Sequence, residues 1–454
     1  MKNLFKILTL IMVFMFTVNS SFAFPVSKLD KLVKKSSLDE KSTLAISIRN
    51  VSDGSVVYEQ NSKKLLHPAS SLKIFTTYSS LNMLGSDYQF KTQFLKDNEN
   101  NLYIKLGADP LLTSSQLNLA FHKLRESGNT KFNNIYFDDS ILDKKEMATG
   151  WMWDDEINPY TPKVSSYNLD SNVVTVEMLQ EDNGRIYTEL KSTYPMSIVS
   201  NIELNNKKDF IQINRYNWTS PEVVEIYASV VKPRSLEIPI SSMRRYFIHN
   251  VEKAMEQNRI TTSGVLYASK ITPDNVTLLT EITNPIENTL PEILHKSNNL
   301  MAETLFKLSG AYKYSATGSD ILGSVAFKEF YKKNGVSTDD VVIKDGCGVS
   351  RNNLFSVDWM TSTLNKISKE KDFDSYKELM AQPGDGTLLN RLLDLRGDVR
   401  LKTGSLSNIS AISGYVKSQD GNTYSVAIIL QNFTQEQREI KDFENKIIEL
   451  IYSR

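Results

Sequence analysis

Apolar and polar residues alternate through residues 43–60, around Ser52-Asp53-Gly54, and a period of two bracketed by turn residues predicts a β-hairpin. Behind Pro68 and Ala69 the period changes: Leu72, Phe75, Tyr78 and Leu81 recur at helical spacing. Residues 85–166 mix both patterns and are rich in Asp, Asn and aromatics. Short strands are then predicted at 173–178, 186–190, 198–204 and 210–213, so 172–240 reads as a small β-rich module. A helix is expected over 242–257, and short strands return over 258–281. From residue 289, Ile293, Leu294, Leu300, Leu305 and Leu308 trace a helical pattern that breaks at Asn298-Asn299, and a further helix over 319–333 is stopped by Gly335. Three successive strands are predicted at 399–402, 409–417 and 424–431, with Asp420-Gly421 turning between the last two. Ile440, Phe443, Ile447, Ile448 and Ile451 share one face of a C-terminal helix.

The two ends of the chain thus supply helices and an antiparallel sheet. The long stretch between the hairpin and the helix near residue 289 is too long for a loop and reads as inserted domains. There is no internal repeat and no low-complexity tract.

The first residues read as an address. Lys2 and Lys6 precede an apolar core over 7–18, and Ser21-Phe22-Ala23 places small residues where a signal peptidase reads, so cleavage after Ala23 is expected. The apolar run is short for a membrane span, and no cysteine follows it to carry a lipid. No later segment is long and apolar enough to span, so an exported, periplasmic and soluble mature protein is expected; membrane association after processing and oligomeric state are left open. The length suggests about three domains. Basic and acidic residues balance at 53 each with no basic stripe, which argues against a nucleic-acid partner. The single cysteine, Cys347, excludes an intrachain disulfide, and the four histidines form no metal-binding spacing, so neither metal nor cofactor is expected.

Candidate chemistry lies in three runs. Ser70 and Lys73 stand three apart at a helix start, which stacks them on one face. A serine hydroxyl becomes a nucleophile when a base takes its proton, and a lysine serves if burial or a neighbouring cation lowers its pKa. Lys402 is the natural second cation. The Ser70 N–H at the helix start can donate to an oxyanion. Ser297 and Asn299 sit at the break in a helical pattern, where Ser297 can relay a proton between Lys73 and a leaving amine. Asn299 can hold a substrate amide carbonyl through its own N–H groups. Lys402-Thr403-Gly404-Ser405 is expected to end a strand, where backbone groups can pair with an extended peptide and Gly404 permits close approach. Lys402 can attract a terminal carboxylate that Thr403 and Ser405 hydrogen-bond, with the Ser405 N–H as second oxyanion donor. Each run alone has a bland reading: a capping serine beside a solvated lysine, a polar turn, a surface turn. Together and in order they read as S-x-x-K, S-x-N and K-T-G, the set found in serine enzymes that are acylated by penicillin or D-Ala-D-Ala peptides.

The match extends further. Pro68 leads the first run, and Ala302-Glu303 follows the second. Asp345-Gly346-Cys347-Gly348-Val349-Ser350-Arg351 is similar to a D-G-S-G-L-S-R element, and Gly384-Asp385-Gly386-Thr387-Leu388 to a D-G-T-L element. Residues 402–416, ending Ser413-Gly414-Tyr415-Val416, are similar to a third box with its following strand, and Gly150-Trp151-Met152-Trp153-Asp154-Asp155, with Tyr160 and Asn172, to a W-x-W-D-D segment. On these residues the chain resembles the class C low-molecular-mass penicillin-binding proteins of the penicillin-binding protein 4 type, which are D-alanyl-D-alanine carboxypeptidases and endopeptidases. The resemblance implies an α+β fold. Its penicillin-recognising serine-peptidase core, an antiparallel sheet packed with helices, is interrupted by a second domain in which a β-rich third is nested. The expected bounds are 1–23 for the signal peptide, 24–84 with 282–454 for the catalytic domain, 85–166 with 258–281 for the inserted domain, and 167–257 for the nested one. It also implies that Asp155, with Tyr160, binds the free amine of a diaminopimelate stem side chain and that Arg351 pairs with a carboxylate. Cys347 takes the place of a serine that is not the nucleophile, and a buried thiol is expected there.

The expected function is hydrolysis of peptidoglycan stem peptides through an acyl-enzyme on Ser70, with β-lactams as covalent inhibitors. A serine β-lactamase shares the three boxes, and a catalytically silent wall-binding protein on the same fold is a third reading. The large insertion argues against the former, and the presence of every matched catalytic side chain against the latter.

Overall fold

The computed structural model describes residues 24–205, 207–216 and 220–454; the expected signal peptide lies outside the described residues. A five-stranded sheet joins the chain ends in the order Val399–Leu406, Ile409–Lys417, Thr423–Gln431, Thr43–Asn50, Val56–Gln60. All neighbours are antiparallel, and Thr43 pairs with Gln431 across the joint between the N- and C-terminal segments. The two central strands of the C-terminal part are buried along nearly their whole length because both faces are covered. Alternation along Thr423–Gln431 sends Val426, Ile428 and Leu430 into one apolar core and Ala427 and Ile429 into another. The first core is closed by the helices Val26–Ser36 and Gln437–Tyr452, whose Leu29, Val33, Ile440, Phe443, Ile447, Ile448 and Ile451 face the sheet. The second is closed by Lys73–Leu84, Asn299–Tyr314, Asp320–Lys333 and Val357–Ile367, through residues such as Phe75, Leu305, Phe327 and Met360.

Between the hairpin and the second helical region lies a second five-stranded sheet, in the order Leu266–Ser269, Ile135–Asp138, Leu102–Lys105, Gln89–Asp97, Val276–Pro285. Helices Ser114–Glu126 and Met243–Asn258 pack against each other beside it. Two three-stranded sheets follow: Ser235–Pro239, Val173–Gln180, Ile186–Leu190; and Phe210–Tyr216, Ser220–Val230, Ser197–Leu204. One continuous apolar cluster runs from Phe94, Ile104, Phe121 and Phe247 to Val176, Val224 and Ile226, so these sheets share a core. Among the described residues no helix is long and apolar enough to cross a membrane.

One boundary differs from expectation in a way that matters for the site. The strand predicted to end at Lys402 continues to Leu406, pairing Ser405 with Ser410 and Leu406 with Ile409 before a turn in which Asn408 takes φ 60°. Thr, Gly and Ser read locally as turn residues, but hairpin pairing with the strand that follows, Ile409–Lys417, keeps them in an edge strand.

Candidate active site

The turn carrying Ser70 is held from three sides. Residues Ala69–Leu72 form a 3-10 turn that runs into Lys73–Leu84, and Ala69 adopts φ 45°, a strained value for a side chain with Cβ. The Ala69 N–H donates to His67 Nδ1 (3.0 Å), leaving Nε2 to donate to the Ser350 carbonyl (2.6 Å). Burial pushes the His67 pKa down, in keeping with this neutral ring. On the other sides backbone presses close. A Cβ on Gly348 would lie 2.0 Å from the Ala69 carbonyl oxygen, and one on Gly404 would lie 2.7 Å from Ser70 N. Glycine at both positions lets a loop and an edge strand seat against the helix start.

Lys73 is fully buried and donates to three oxygens: Ser70 Oγ (2.8 Å), Asn299 Oδ1 (2.5 Å) and the Cys347 carbonyl (2.7 Å). Burial lowers its pKa to about 8, against the opposing pull of Cys347, Asp345 and Glu303. Lys402, equally buried, donates to Ser297 Oγ (2.9 Å) and to the Thr403 carbonyl (2.8 Å). Its pKa is pushed well below the ordinary range, first by burial and then by repulsion from Lys73. The lowering of Lys73 therefore comes from desolvation, the first of the two causes the sequence left open.

Ser297 adopts φ 66°, just before Asn298 caps Asn299–Tyr314 by accepting the Met301 N–H. The Thr387 N–H donates to the His295 carbonyl (3.0 Å) and Asp385 faces the His295 ring at 3.3 Å, so the D-G-T-L element buttresses this turn. Two expectations change here. Ser297 is joined to Lys402, with no hydrogen bond to Lys73 among the described residues. Asn299, expected to offer N–H groups to substrate, donates from Nδ2 to the Tyr160 carbonyl while its Oδ1 faces Lys73. The reason is the W-x-W-D-D segment, which folds over the start of this helix and supplies that carbonyl.

Along the edge strand the pleat places Lys402 and Gly404 toward the Ser70 helix start, and Thr403 and Ser405 toward the opposite side. Ser405 Oγ meets Gln437 Nε2 of the C-terminal helix at 3.4 Å. What this strand turns to the Ser70 turn is thus backbone at Gly404, while the Ser405 hydroxyl lies elsewhere.

Asp155 lies in the 3-10 turn Trp153–Ile157, half-buried, with Oδ2 accepting the Met152 N–H (3.0 Å). Tyr160 is 77% exposed. The Arg351 N–H donates to the Gly150 carbonyl (3.0 Å), tying its loop to the base of the same segment; its half-buried guanidinium makes no hydrogen bond or ion pair among the described residues.

Two residues beyond the expected set organise this centre. Asp345, fully buried, accepts the N–H groups of Gly348 (3.0 Å), Val349 (2.9 Å) and Ser350 (2.7 Å), Trp151 Nε1 (2.8 Å) and Asn353 Nδ2 (2.6 Å). These bonds curl the loop so that the Cys347 carbonyl reaches Lys73. Glu303 accepts the Gly346 N–H (2.6 Å) through Oε2, while Oε1 is buried without a partner. Burial, then Asp345, raises its pKa to about 8, so at neutral pH it is a carboxylic acid. Its position four residues after Asn299, on the same helix face, is the signal that could have revealed it. Cys347 is buried with its pKa pushed well up by burial, which makes it an inert thiol.

Comparison with known proteins matches residues 26–452 to the D-Ala-D-Ala carboxypeptidase 3 (S13) family. The chain is 24% identical to the D-alanyl-D-alanine carboxypeptidase DacB of Haemophilus influenzae, over 96% of this chain and 94% of that protein. It is 25% identical to a D-alanyl-D-alanine carboxypeptidase of an Actinomadura species, over 84% of this chain and 76% of that protein. The crystal structure of penicillin binding protein 4 (dacB) from Haemophilus influenzae superimposes with a TM-score of 0.81 at 22% identity, covering 94% of this chain and 99% of that one.

Proposed function

The chain belongs to the D-Ala-D-Ala carboxypeptidase 3 (S13) family and is a serine peptidase of D-alanyl-D-alanine substrates, and on that premise we propose that Ser70 is its nucleophile and Lys73 its general base. Ser70 Oγ attacks the penultimate D-Ala carbonyl carbon as its proton passes to the neutral form of Lys73. The observation that carries this reading is the 2.8 Å bond from Lys73 Nζ to Ser70 Oγ, made by an amine whose pKa is about 8. The oxyanion is received by the N–H groups of Ser70 and Ser405. As the C–N bond breaks, Ser297 gives its proton to the leaving amine and is resupplied by Lys402, its hydrogen-bond partner. Before deacylation Lys73 gives the proton taken from Ser70 to solvent, from which Lys402 is re-protonated; neutral again, Lys73 takes a proton from the water that attacks the ester carbonyl and returns it to Ser70 Oγ as the acyl group leaves. Asn299 holds Lys73 in line and anchors the segment that carries Asp155 and Tyr160. These two receive the free amine of a diaminopimelate-type side chain, and Arg351 a substrate carboxylate.

A terminal D-Ala leaving group gives carboxypeptidase action; a cross-linking amine gives endopeptidase action. β-Lactams acylate Ser70 and leave slowly. The protein acts outside the cytoplasm after cleavage behind Ala23. Residues 24–84 and 282–454 form the catalytic domain, 85–166 and 258–281 an inserted domain, and 167–257 a nested one.

Labelled penicillin tests the nucleophile: the parent takes up one covalent label and Ser70→Ala none. Retained labelling and full activity in Ser70→Ala would sink the assignment, and rapid penicillin turnover would mark a β-lactamase. Digestion of purified cross-linked and monomeric stem peptides separates the two peptidase actions.

A further inference from the structure

The β-rich strands between residues 173 and 239 take no part in the proposed chemistry, yet they grip the segment that does. Glu156, adjacent to Asp155, is buried between two cations: Arg215 Nη1 lies 3.0 Å from its Oε1 and Lys163 Nζ 3.1 Å from the same atom. The Arg215 side chain is 0% exposed. It stands on strand Phe210–Tyr216, and its Nη2 donates to the carbonyl of Pro239, which ends strand Ser235–Pro239. Lys163 donates to the Ser241 carbonyl just beyond (2.6 Å). Thr161 Oγ1 donates to the Asp155 carbonyl, closing the segment on itself. At its far end the Tyr160 carbonyl accepts from Asn299, which in turn accepts from Lys73. The segment is strung between a buried guanidinium of the β-rich module and the catalytic lysine.

We propose that Arg215 is a positioning residue for substrate selection: through Glu156 it fixes where Asp155 sits, and so sets the preference for acyl side chains that end in a free amine. A buried carboxylate keeps its place only while its partners stay, because an uncompensated charge away from water relaxes by moving or by taking a proton. Loss of Arg215 would shift Glu156, and Asp155 shares its 3-10 turn. The inference rests on reading Asp155 as the amine acceptor.

The test compares two D-Ala-D-Ala peptides that differ only in whether the side-chain amine is free or acetylated. Arg215→Met is expected to raise KM for the free-amine peptide at least about fivefold while leaving kcat, and both constants for the acetylated peptide, within about twofold. Arg215→Lys, which keeps the charge, is expected to restore most of the preference. An Arg215→Met protein with parental circular dichroism and an unchanged preference overturns the proposal, as does equal loss on both peptides. If Arg215→Met does not fold, Glu156→Gln carries the same comparison. Asp155→Asn separates the two ideas. No change of preference in that variant removes the reading of Asp155 and this inference with it; a lost preference there, with Arg215→Met unaffected, removes this inference alone.

Discussion

On the proposed roles, raising the pH from 6 to 9 is expected to switch on acylation of Ser70, because the base proposed to take its proton is a buried amine. Lys73 is 0% exposed, and its pKa falls from 10.5 to about 8, with burial as the leading cause. Neutral Lys73 then makes up about 1% of molecules at pH 6, about 10% at pH 7 and about half at pH 8. The second-order rate constant for a fluorescent penicillin is therefore expected to climb roughly tenfold from pH 6 to 7, about fivefold from 7 to 8, and to level off near pH 9. Stopped-flow measurement over that range reads the limb directly. Four other titratable groups face Lys73: Cys347, Asp345, Glu303 and Lys402. Glu303 is the serious competitor, since its own pKa is also raised to about 8. Glu303→Gln separates them. If Lys73 titrates, the limb survives, displaced slightly downward because no carboxylate forms to favour the ammonium. A flat profile, or a limb abolished in Glu303→Gln, refutes the assignment of Lys73 as base.

The same burial carries a stability penalty. A displacement from 10.5 to about 8, at about 1.4 kcal/mol per tenfold step, is on the order of 3 kcal/mol. Below pH 8 both folded and unfolded chains hold the proton, and the folded state bears the full penalty. Between about 8 and 10.5 the folded chain has released it and the unfolded chain has not, so this group's contribution to stability rises with pH across that window. The penalty falls on the group that the proposed chemistry requires to be deprotonable.

Glu303→Gln tests the opposite sign: a folded pKa raised from 4.5 to about 8 gives stability that is present below 4.5 and lost as pH rises through 8. Urea melts are thus expected to show the Gln variant gaining on the parent by a few kcal/mol between pH 4 and 8, and a constant difference would contradict the buried neutral acid. Gly404→Ala puts a methyl group 2.7 Å from Ser70 N and 2.8 Å from Ala69 Cβ. Penicillin acylation is expected to drop by about 10²-fold for a stability loss of only about 1–3 kcal/mol, whereas parental acylation would mean that the strand does not press on the helix start. Asp345→Asn sets amide donors against a ring of five N–H donors and the Cys347 thiol; unfolding free energy is expected to fall by about 2–4 kcal/mol, and a change under about 0.5 kcal/mol would remove Asp345 as the organiser of its loop.

Sequence periodicity carried the parts of the fold whose neighbours are local. The stripe of Ile440, Phe443, Ile447, Ile448 and Ile451 and the unbroken apolar run through Ala427, Ile428 and Ile429 each state which faces are covered. Helices Val26–Ser36 and Ser114–Glu126 carry their apolar residues among many charged or polar ones and escaped that reading. Strands Ser220–Val230 and Ser235–Pro239 escaped too, because their register is set by partners elsewhere in the chain. The site divides in the same way. Ser70 and Lys73 are visible because one helical turn joins them, but what lowers the Lys73 pKa is its burial, which spacing does not report. Asn299 reaches Lys73 across 226 positions and Tyr160 across 139, and Glu156 reaches Arg215 across 59. No local pattern encodes such contacts, since each depends on two segments folding to the same place. They are also the contacts by which the insertion holds Asn299, the hydrogen-bond partner of Lys73. The proposed chemistry therefore rests on short motifs, while the proposed means of choosing among substrates rests on long-range pairs that only the folded chain assembles.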